Sequence, residues 1–502
     1  MRKFFLLLFF SLFSINFIQA QEYYFKHFQV EEGLSNNTVL TSLQDEDGFM
    51  WFGTKDGLNR FDGYRFKTYR SNADPIHSLG SNYIQSLHEY KGVIWAGTDK
   101  GLYQYDKKTD QFTVLNEAIN DRINDINHDK NGNIWFISGN ILYKYSTTKK
   151  ETKTFNPNKY FIATSISRDA NGQIWASSLN KVYRYSEENL SFENIPIVPP
   201  ASSANFRITI IYALDKNNIV IGTQDDGVLL YNIHNKTTSS LEFSTKKPVY
   251  VRQFKKRGND ELWIASESGV YVYNLKTKSS INLRKNYNDP YAISDNAAYS
   301  ITIDKENGIW VGTYFGGINY HQKQYTQFKK YFPQKGQNSI SGSAVREIHK
   351  DDKGDLWIGT EDAGLNRFNP KTQQFTSYLP NGSKNSVSYY NIHALMPRKD
   401  KIWVGTFEHG LDVLDRNSGN VIRHYSANNP ASGLRSNFIF SFYETKKEEL
   451  IVITTMGLYL YNEKNDNFET LKTFPETTHY TTYKEDSDGN LWAGSYRDGL
   501  FY

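Results

Sequence analysis

The sequence predicts an all-β fold in which four-stranded antiparallel sheets form one seven-bladed β-propeller followed by a second, incomplete β-propeller. An apolar segment centred on tryptophan recurs along the chain with a period in the forties, the usual length of one blade. Each copy is bounded by turns rich in Asp, Asn and Gly, which connect antiparallel strands. Aromatic residues make up 15% of the 502 residues, which also favours β structure.

The first copy, at residues 39–69, contains four short strand-like runs. These are residues 39–44, 49–54, 58–61 and 66–69. Runs of this length that are separated by turns containing Asp and Gly indicate consecutive hairpins. One copy therefore predicts one blade of four strands.

Tryptophan marks the same position in nine copies of this pattern. The nine are Trp51, Trp95, Trp135, Trp175, Trp263, Trp310, Trp357, Trp403 and Trp492. Two gaps are twice the usual length, and each holds a copy in which Val220 or Ile451 replaces tryptophan, giving eleven copies. We expect the tryptophan strand to be the second of each blade, with its indole in the core between adjacent blades. A β-sandwich or a β-helix does not explain eleven copies at this period.

A break after the seventh copy indicates where one ring ends. Residues 331–343 carry a proline and small polar residues, and they resemble the segment before the first copy, residues 27–37. We therefore place a seven-bladed β-propeller at residues 21–332 and the first four blades of a second one at residues 333–502. Residues 23–28 resemble a fourth strand and should close a ring, although the sequence leaves open which one.

The second ring has only four copies, and the last of them lacks its fourth strand. An open arc would leave sheet edges and blade faces uncovered. We therefore expect the sequence to be a truncated piece of a longer protein, with about three more blades needed if the second ring matches the first. An isolated four-blade arc is the alternative.

The first twenty residues differ from the rest of the chain. Arg2 and Lys3 precede an apolar run, and Ala20 stands at a suitable cleavage position, which predicts a signal peptide at residues 1–20. A retained N-terminal anchor is the alternative. The formal charge of +4 falls to +2 when these two basic residues are removed (4 − 2), which gives no electrostatic case for nucleic acid. The chain has no cysteine, which excludes disulfides and thiol catalysis.

The repeats resemble those of the two-component-regulator propeller family. The resemblance is carried by GLSNN at residues 33–37, QDEDGFMWFGT at 44–54 and DGLNRFDG at 56–63, and again by LWIGTEDAGLNRF at 356–368. It extends over residues 22–502. The copies around Val220 and Ile451 depart from it by losing tryptophan.

The resemblance implies the periplasmic ligand-sensing region of a hybrid two-component sensor histidine kinase. In such proteins the propellers precede a β-sandwich domain, a membrane helix, a kinase core and often a DNA-binding output, so the partners implied are an oligosaccharide ligand and downstream domains of the same chain. The parent protein would be anchored in the inner membrane and control transcription. Related proteins join similar propellers to other outputs, such as diguanylate cyclases, and the sequence leaves open a homodimer.

Blade topology narrows the search for a ligand site. Because strands alternate in direction, the connections into each first strand and those between second and third strands emerge on one face. Aromatic rings there can stack on sugars while amides and carboxylates bond to hydroxyls. The candidate residues are Tyr314, Phe315, Phe407, Glu408, His409, Tyr496, Arg497, Tyr389 and Asn82. The alternative for the Ser and Asn residues is that they cap turns by bonding to nearby backbone.

No catalytic or metal motif stands out in the sequence. It lacks the zinc-protease, nucleophile-elbow and phosphate-loop patterns, so we expect no catalytic residue and no cofactor in this chain. Asp45 and Asp47 superficially resemble a calcium loop but lack its further ligands, so we expect no metal. A secreted propeller enzyme acting on polysaccharide, as a lyase or a glycosidase, and an interaction scaffold remain alternatives.

Overall fold

The computed structural model describes residues 23–72, 77–156, 160–197, 206–323 and 328–502. The predicted signal peptide at residues 1–20 lies outside these residues. The chain divides into two compact units, Met1–Thr326 and Gln327–Tyr502. The described residues form strands and two short 3₁₀ turns, Val30–Glu32 and Pro430–Ser432, so the predicted all-β class is confirmed.

The first unit contains, in its described residues, seven four-stranded antiparallel sheets. Blade one is β2 (Val39–Gln44), β3 (Met50–Thr54), β4 (Gly57–Phe61) and β5 (Phe66–Tyr69); blade two is β6 (Ile84–Tyr90), β7 (Val93–Thr98), β8 (Gly101–Asp106) and β9 (Gln111–Val114); blade three is β10 (Ile123–His128), β11 (Ile134–Ser138), β12 (Ile141–Ser146) and β13 (Glu151–Thr154); blade four is β14 (Ala163–Arg168), β15 (Ile174–Ser178), β16 (Lys181–Ser186) and β17 (Ser191–Ile195); blade five is β18 (Ile208–Ala213), β19 (Asn218–Thr223), β20 (Val228–Asn232) and β21 (Thr237–Ser240); blade six is β22 (Val251–Arg257), β23 (Glu261–Ser266), β24 (Gly269–Asn274) and β25 (Ser280–Leu283); blade seven is β26 (Ala298–Ile303), β27 (Ile309–Thr313), β28 (Ile318–His321) and β1 (Lys26–Phe28).

The first strands of the seven blades close a ring. Each contacts the first strand of the next blade, and β26 of blade seven contacts β2 of blade one. These strands therefore surround the central channel that is typical of a propeller. The predicted seven-bladed β-propeller is confirmed.

The N-terminal strand β1 completes blade seven. It pairs antiparallel with β28, so that Lys26 lies opposite Tyr320 and Phe28 opposite Ile318. Phe28 also packs with its ring centroid 5.9 Å from Trp310 in blade seven and 5.3 Å from Phe61 in blade one. The two ends of the ring are thus joined by strand pairing, which removes an exposed sheet edge and settles which ring this strand closes.

The second unit contains four further sheets in its described residues. Blade eight is β29 (Val345–Lys350), β30 (Leu356–Thr360), β31 (Leu365–Asn369) and β32 (Gln374–Tyr378); blade nine is β33 (Ile392–Arg398), β34 (Lys401–Thr406), β35 (Leu411–Asp415) and β36 (Val421–Tyr425); blade ten is β37 (Ile439–Glu444), β38 (Leu450–Thr454), β39 (Gly457–Asn462) and β40 (Asn467–Thr470); blade eleven is β41 (Tyr480–Glu485), β42 (Leu491–Ser495) and β43 (Leu500–Phe501). Their first strands contact one another in sequence order.

In the described part of the second unit, no preceding blade packs against blade eight. Val345 and Ile348 of β29 are 46% and 58% exposed, whereas Val39, at the start of the corresponding strand in blade one, is buried by blade seven. The second β-propeller is therefore incomplete in this chain, as predicted. That about three more blades complete it stays a prediction.

A hydrogen bond between the turn and the tryptophan explains why these two parts of the motif recur together. In six blades, the aspartate that opens the turn after the first strand accepts a hydrogen bond from the indole N–H six residues later. The pairs and their Nε1–Oδ2 distances are Asp45–Trp51 at 2.7 Å, Asp129–Trp135 at 3.0 Å, Asp169–Trp175 at 3.3 Å, Asp304–Trp310 at 2.8 Å, Asp351–Trp357 at 3.0 Å and Asp486–Trp492 at 2.9 Å. Blade ten lacks both partners, with Thr445 and Ile451 in their places.

The tryptophans lie in the core between blades, as predicted. Trp51 packs against Ile84, Ile94 and Tyr105 of the next blade. Eight of the nine are buried, and Trp492 in blade eleven is half-buried. The buried indoles supply much of the apolar area that stabilises the stacked sheets.

Candidate functional site

The long loops of each blade emerge at one end, here called the loop face. The connection between the second and third strands is hydrogen bonded to the loop that enters the first strand of the same blade. Examples are Tyr314 N to Ala297 O at 2.9 Å, Phe407 N to Asn391 O at 3.0 Å and Tyr496 N to His479 O at 2.9 Å. The predicted site residues therefore lie on the loop faces of two units, with Asn82, Tyr314 and Phe315 on the first.

A bulge at the start of each first strand aims one side chain at the loop face. The pairing register shifts by one residue there, so that Tyr299 in β26 and His393 in β33 are extra residues without a partner. Such bulges turn a side chain away from the regular alternation of a strand. The bulges therefore determine which side chains of the first strands lie beside the loop residues.

On the first unit, Tyr314 belongs to a short series of rings and cations. The ring centroid of Tyr314 lies 5.2 Å from that of Tyr299. Lys55 Nζ lies 4.1 Å from the centroid of the Tyr314 ring and donates to the Tyr314 hydroxyl. Arg252 in turn lies 4.3 Å from the Tyr299 ring and forms an ion pair with Glu267. The polar groups here are occupied by one another.

Two other candidates on the first unit differ in what they offer. Phe315 is 73% exposed, and its ring packs edge-on against Tyr314 at 4.7 Å. Asn82 donates to Asp56 at 3.1 Å and accepts from Ser71 N at 2.8 Å, so both ends of its amide bind neighbouring loops. The arrangement of Asn82 favours the capping alternative for this residue.

The second unit carries a continuous group of aromatic side chains, here called the aromatic row. Its members are Phe407, His393, Phe438, Phe440, His479 and Tyr496, which come from blades nine, ten and eleven. Consecutive ring centroids lie 5.6, 4.7, 5.8, 5.7 and 5.1 Å apart. Tyr496 is 66% exposed, and the other five rings are half-buried.

Unpartnered polar atoms accompany the aromatic row. Among the described residues, Ser388 Oγ, Asn391 Oδ1, His393 Nδ1 and His479 Nε2 are buried without a hydrogen-bond partner. Buried polar groups are normally satisfied, because leaving one unpaired costs about 1–3 kcal/mol. Two of these atoms belong to members of the row, and the other two lie in the loop that enters β33. A ligand with both apolar faces and hydroxyl groups would offer partners to such atoms.

The histidines of the aromatic row are neutral at neutral pH. Burial lowers the pKa of His393, and Arg346 lowers it further. Burial also lowers the pKa of His479, with Arg497 adding to the effect. A neutral imidazole has one nitrogen that donates and one that accepts, so these side chains suit an uncharged polar ligand.

The remaining predicted residues flank the aromatic row. Tyr389 stacks on His409 with ring centroids 3.9 Å apart, and both residues lie in loops of blade nine. Glu408 is exposed between Phe407 and His409. Arg497 lies 5.8 Å from the Tyr496 ring, beside a cleft that residues 477–479 and 496–498 line.

Four members of the row are not among the predicted site residues. His393 and Phe440 are bulge residues, and a bulge is visible only once two strands have been paired. Phe438 and His479 precede first strands, and only the contact between blades ten and eleven brings them together. Their aromatic character at the start of a first strand is the one signal that the sequence carries.

The family described as Two component regulator propeller matches residues 33–56 and 292–315. These two segments of the chain are similar to the repeats of that family. The matched segments include β2 and β3 of blade one and β26 and β27 of blade seven, the two blades that meet where the ring closes. The repeat motif therefore coincides with the turn and tryptophan strand described above.

One curated relative carries the same repeat sequence over a short stretch. Histidine kinase P4 of Formosa agariphila is 44% identical over 61 residues, which is 12% of this chain and 4% of that protein. The match thus spans a small part of the relative's length.

Solved structures with a similar fold include two extracellular domains from B. thetaiotaomicron. That of the putative hybrid two component system BT3049 has a TM-score of 0.55 at 21% identity, covering 94% of this chain and 76% of that one. That of the putative hybrid two component system BT4673 has a TM-score of 0.53 at 20% identity, covering 94% and 71%. At this identity the likeness shows the fold of these repeats.

The described residues contain neither a candidate membrane span nor a candidate metal cluster. No helix among them is long and apolar enough to cross a membrane. Within the same residues no group of three or more His, Cys, Asp or Glu side chains is placed to hold a metal ion.

Proposed function

We propose that this chain is the ligand-sensing region of a hybrid two-component sensor histidine kinase and that the aromatic row binds an oligosaccharide. The observation that carries the proposal is the coincidence of six adjacent rings with four unpartnered polar atoms. Rings pack on the apolar CH faces of a sugar, and the polar atoms bond to its hydroxyls. The regulator propeller repeats and the similar extracellular domains support the sensor assignment.

The test of the binding site is calorimetry of the chain against oligosaccharides of defined linkage. Phe407→Ala and Tyr496→Ala each remove a ring from one end of the row, and we expect each to weaken binding about tenfold or more, which corresponds to about 1.4 kcal/mol. Tyr64→Ala is the matched control, because Tyr64 is 92% exposed in a turn of blade one. Normal binding by both row variants would place the site elsewhere.

A second measurement separates the row from the first unit. Tyr314→Ala removes the ring that Lys55 covers, in a region whose polar groups already bind one another. We expect this variant to bind oligosaccharide as the wild type does. A selective loss in Tyr314→Ala would move the proposed site to the first unit.

The sensor assignment is tested separately from the site. It places the chain in the periplasm, with the parent protein anchored in the inner membrane by segments beyond residue 502. The coding DNA after codon 502 should then encode further blades, a membrane helix and a kinase. A stop codon soon after the second ring closes, together with turnover of a bound sugar, would instead favour a secreted polysaccharide enzyme.

A further inference from the structure

Residues 329–331 lie against blade eight as the strand β1 lies against blade one. The ring centroid of Tyr331 lies 5.0 Å from that of Phe368 and 5.5 Å from that of Phe375, which face each other in the third and fourth strands of blade eight. In the first ring, Phe28 of β1 lies 5.3 Å and 6.1 Å from the paired phenylalanines at the same positions of blade one. Tyr331 therefore corresponds to Phe28.

Two further contacts are common to the two segments. Lys329 Nζ lies 4.9 Å from the centroid of the Tyr331 ring. In β1, Lys26 Nζ lies 4.7 Å from the centroid of the Phe28 ring. A serine further along each segment donates its backbone N–H to an asparagine in the third strand of the blade. The pairs are Ser341 N to Asn366 Oδ1 and Ser35 N to Asn59 Oδ1, both at 3.0 Å.

The two segments differ in what lies beside them. The strand β1 is paired with β28 of blade seven, and Phe28 is 8% exposed. Lys329 and Tyr331 belong to no strand among the described residues, and Tyr331 is 43% exposed. Residues 329–331 thus have the position of a closing fourth strand, but in the described part of the chain no blade offers them a third strand.

The apolar cluster of blade one contains an indole whose counterpart is absent from the described cluster of blade eight. Trp310 of blade seven lies 5.6 Å from Phe52, 5.9 Å from Phe61 and 5.9 Å from Phe28. The corresponding cluster of blade eight consists, in the described residues, of Ile340, Ile358 and Phe368, with Leu356 and Phe375 partly buried. No tryptophan from a neighbouring blade takes part in that described cluster.

The first strand of blade eight lacks the same neighbour. Val345 and Ile348 are 46% and 58% exposed, whereas Val39 and Ser42, at the equivalent positions of β2, are buried. Ser42 Oγ lies 3.2 Å and 2.9 Å from two hydroxyl groups in the first strand of blade seven. An isoleucine in place of Ser42 cannot form such a bond, so blade eight offers an apolar face where blade one offers a hydroxyl.

We propose that residues 329–331 and the exposed face of blade eight form the docking surface for the last blade of the second ring, which the parent protein encodes beyond residue 502. Residues 329–331 then become the fourth strand of that blade, as β1 does for blade seven. By the register of β1, Lys329 lies opposite the residue equivalent to Tyr320, and Tyr331 lies opposite the residue equivalent to Ile318.

The same comparison specifies two side chains of the docking blade. A tryptophan in its second strand fills the space beside Tyr331 and Phe368, as Trp310 does in the first ring. An apolar side chain in its first strand covers Ile348, where blade seven carries hydroxyl groups. These contacts bury apolar area and pair an unpaired strand edge.

A blade of this kind has room in a longer parent protein. The similar extracellular domain of BT3049 is longer than this chain, which covers 76% of it. The proposal rests on the proposed sensor assignment only for the existence of chain beyond residue 502. It does not depend on which ligand the aromatic row binds.

The test is hydrogen exchange, followed by mass spectrometry, of this chain and of the whole parent protein in detergent. In the parent protein, the backbone amides of Lys329 and Tyr331 should exchange at least about tenfold more slowly than in this chain, because strand pairing protects them. Equal exchange in a parent protein that carries further blades and a kinase would overturn the docking proposal and leave the sensor assignment intact. A gene that encodes no further blade would overturn both.

Two isoleucine variants of the parent protein locate the contact. Ile348→Ser removes an apolar side chain from the proposed surface, and Ile422→Ser is the matched control, because Ile422 is 43% exposed in the fourth strand of blade nine. Exchange at Tyr331 should be at least about tenfold faster in Ile348→Ser than in Ile422→Ser. Equal exchange in the two variants would reject the role of this face. In this chain alone the two variants should melt at similar temperatures, because both side chains are exposed.

A second copy of this chain is the other occupant that the experiment can detect. Exchange at Lys329 and Tyr331 in this chain should not change with protein concentration. Exchange that slows as the concentration rises, together with a dimer in sedimentation, would show that a second copy covers this surface and would overturn the proposal.

Discussion

Asp129 offers the clearest test of why the blade motif joins an aspartate to a tryptophan. Its Oδ2 accepts from Trp135 Nε1 at 3.0 Å, and its Oδ1 accepts from the backbone N–H groups of Asn131 and Asn133, each at 3.0 Å. Asp129 is 3% exposed and Trp135 is fully buried. Asp129→Asn keeps the shape of the side chain but turns an amide N–H₂ group toward the indole N–H or toward the turn.

The expected loss of stability in Asp129→Asn follows from the polar groups that the substitution leaves unpaired. One buried donor without an acceptor costs about 1–3 kcal/mol, and the hydrogen bonds lost here involve a charged acceptor. The ion pair with Lys144, at 3.3 Å, is lost as well. We therefore expect Asp129→Asn to lower the free energy of unfolding of the first unit by about 2–4 kcal/mol.

The matched control is Asp215→Asn in blade five, where Val220 replaces the tryptophan. Asp215 opens the same turn and accepts from Asn217 N at 2.8 Å and Asn218 Nδ2 at 3.0 Å, but it bonds to no indole. An asparagine there keeps an acceptor for the turn, so the loss should be below about 1 kcal/mol. Denaturant unfolding followed by tryptophan fluorescence compares the variants, and equal losses would refute the role given to the indole.

The stability lost in Asp129→Asn should also depend on pH. Burial alone would raise the pKa of Asp129, but hydrogen bonds from Asn133 and Trp135 outweigh it and hold the pKa below its usual value. A carboxyl group with a lowered pKa in the folded state stabilises the fold above its unfolded pKa, near 3.8, and loses that effect as the pH falls toward the folded value. The stability difference between wild type and Asp129→Asn should therefore shrink below about pH 4.

Three further predictions concern the first ring. Phe28→Ala should lower the free energy of unfolding by about 3–5 kcal/mol in a denaturant assay, because Phe28 is 8% exposed and joins β1 to blade one. Val30→Ala, at a position that is 50% exposed, is the control and should lower it little. Gly97→Ala should destabilise the ring by about 1–3 kcal/mol in the same assay, since its Cβ would lie 2.7 Å from a side chain of the next blade; an unchanged midpoint would contradict this packing. Burial would raise the pKa of Asp110, but a lysine and two tyrosine hydroxyls lower it to about 2. The contribution of Asp110 to thermal stability should therefore persist down to about pH 4 and be lost by about pH 2. Asp110→Ala should lack this pH-dependent contribution.

Most of the fold was predictable because the signals that specify a blade are local. The turn aspartate and its tryptophan are six residues apart, and hairpins join strands that follow one another in sequence. The period of the pattern then counts the blades, and the break near residue 331 separates two groups of them. Of the predicted site residues, Phe407 and Tyr496 belong to the aromatic row, since loops between second and third strands are recognisable from the repeat alone.

Some features depend on ring closure and on strand register, and only the tertiary structure decided these features. The sequence determined that β1 is a fourth strand, but only closure of seven wedges brings it beside β28, about 290 residues away. The bulges that present His393 and Phe440 arise in strand pairing, which no periodicity reports. Short-range hydrogen bonds recur with the repeat and are therefore visible in the sequence. Contacts between distant parts of the chain depend on the geometry of the closed ring.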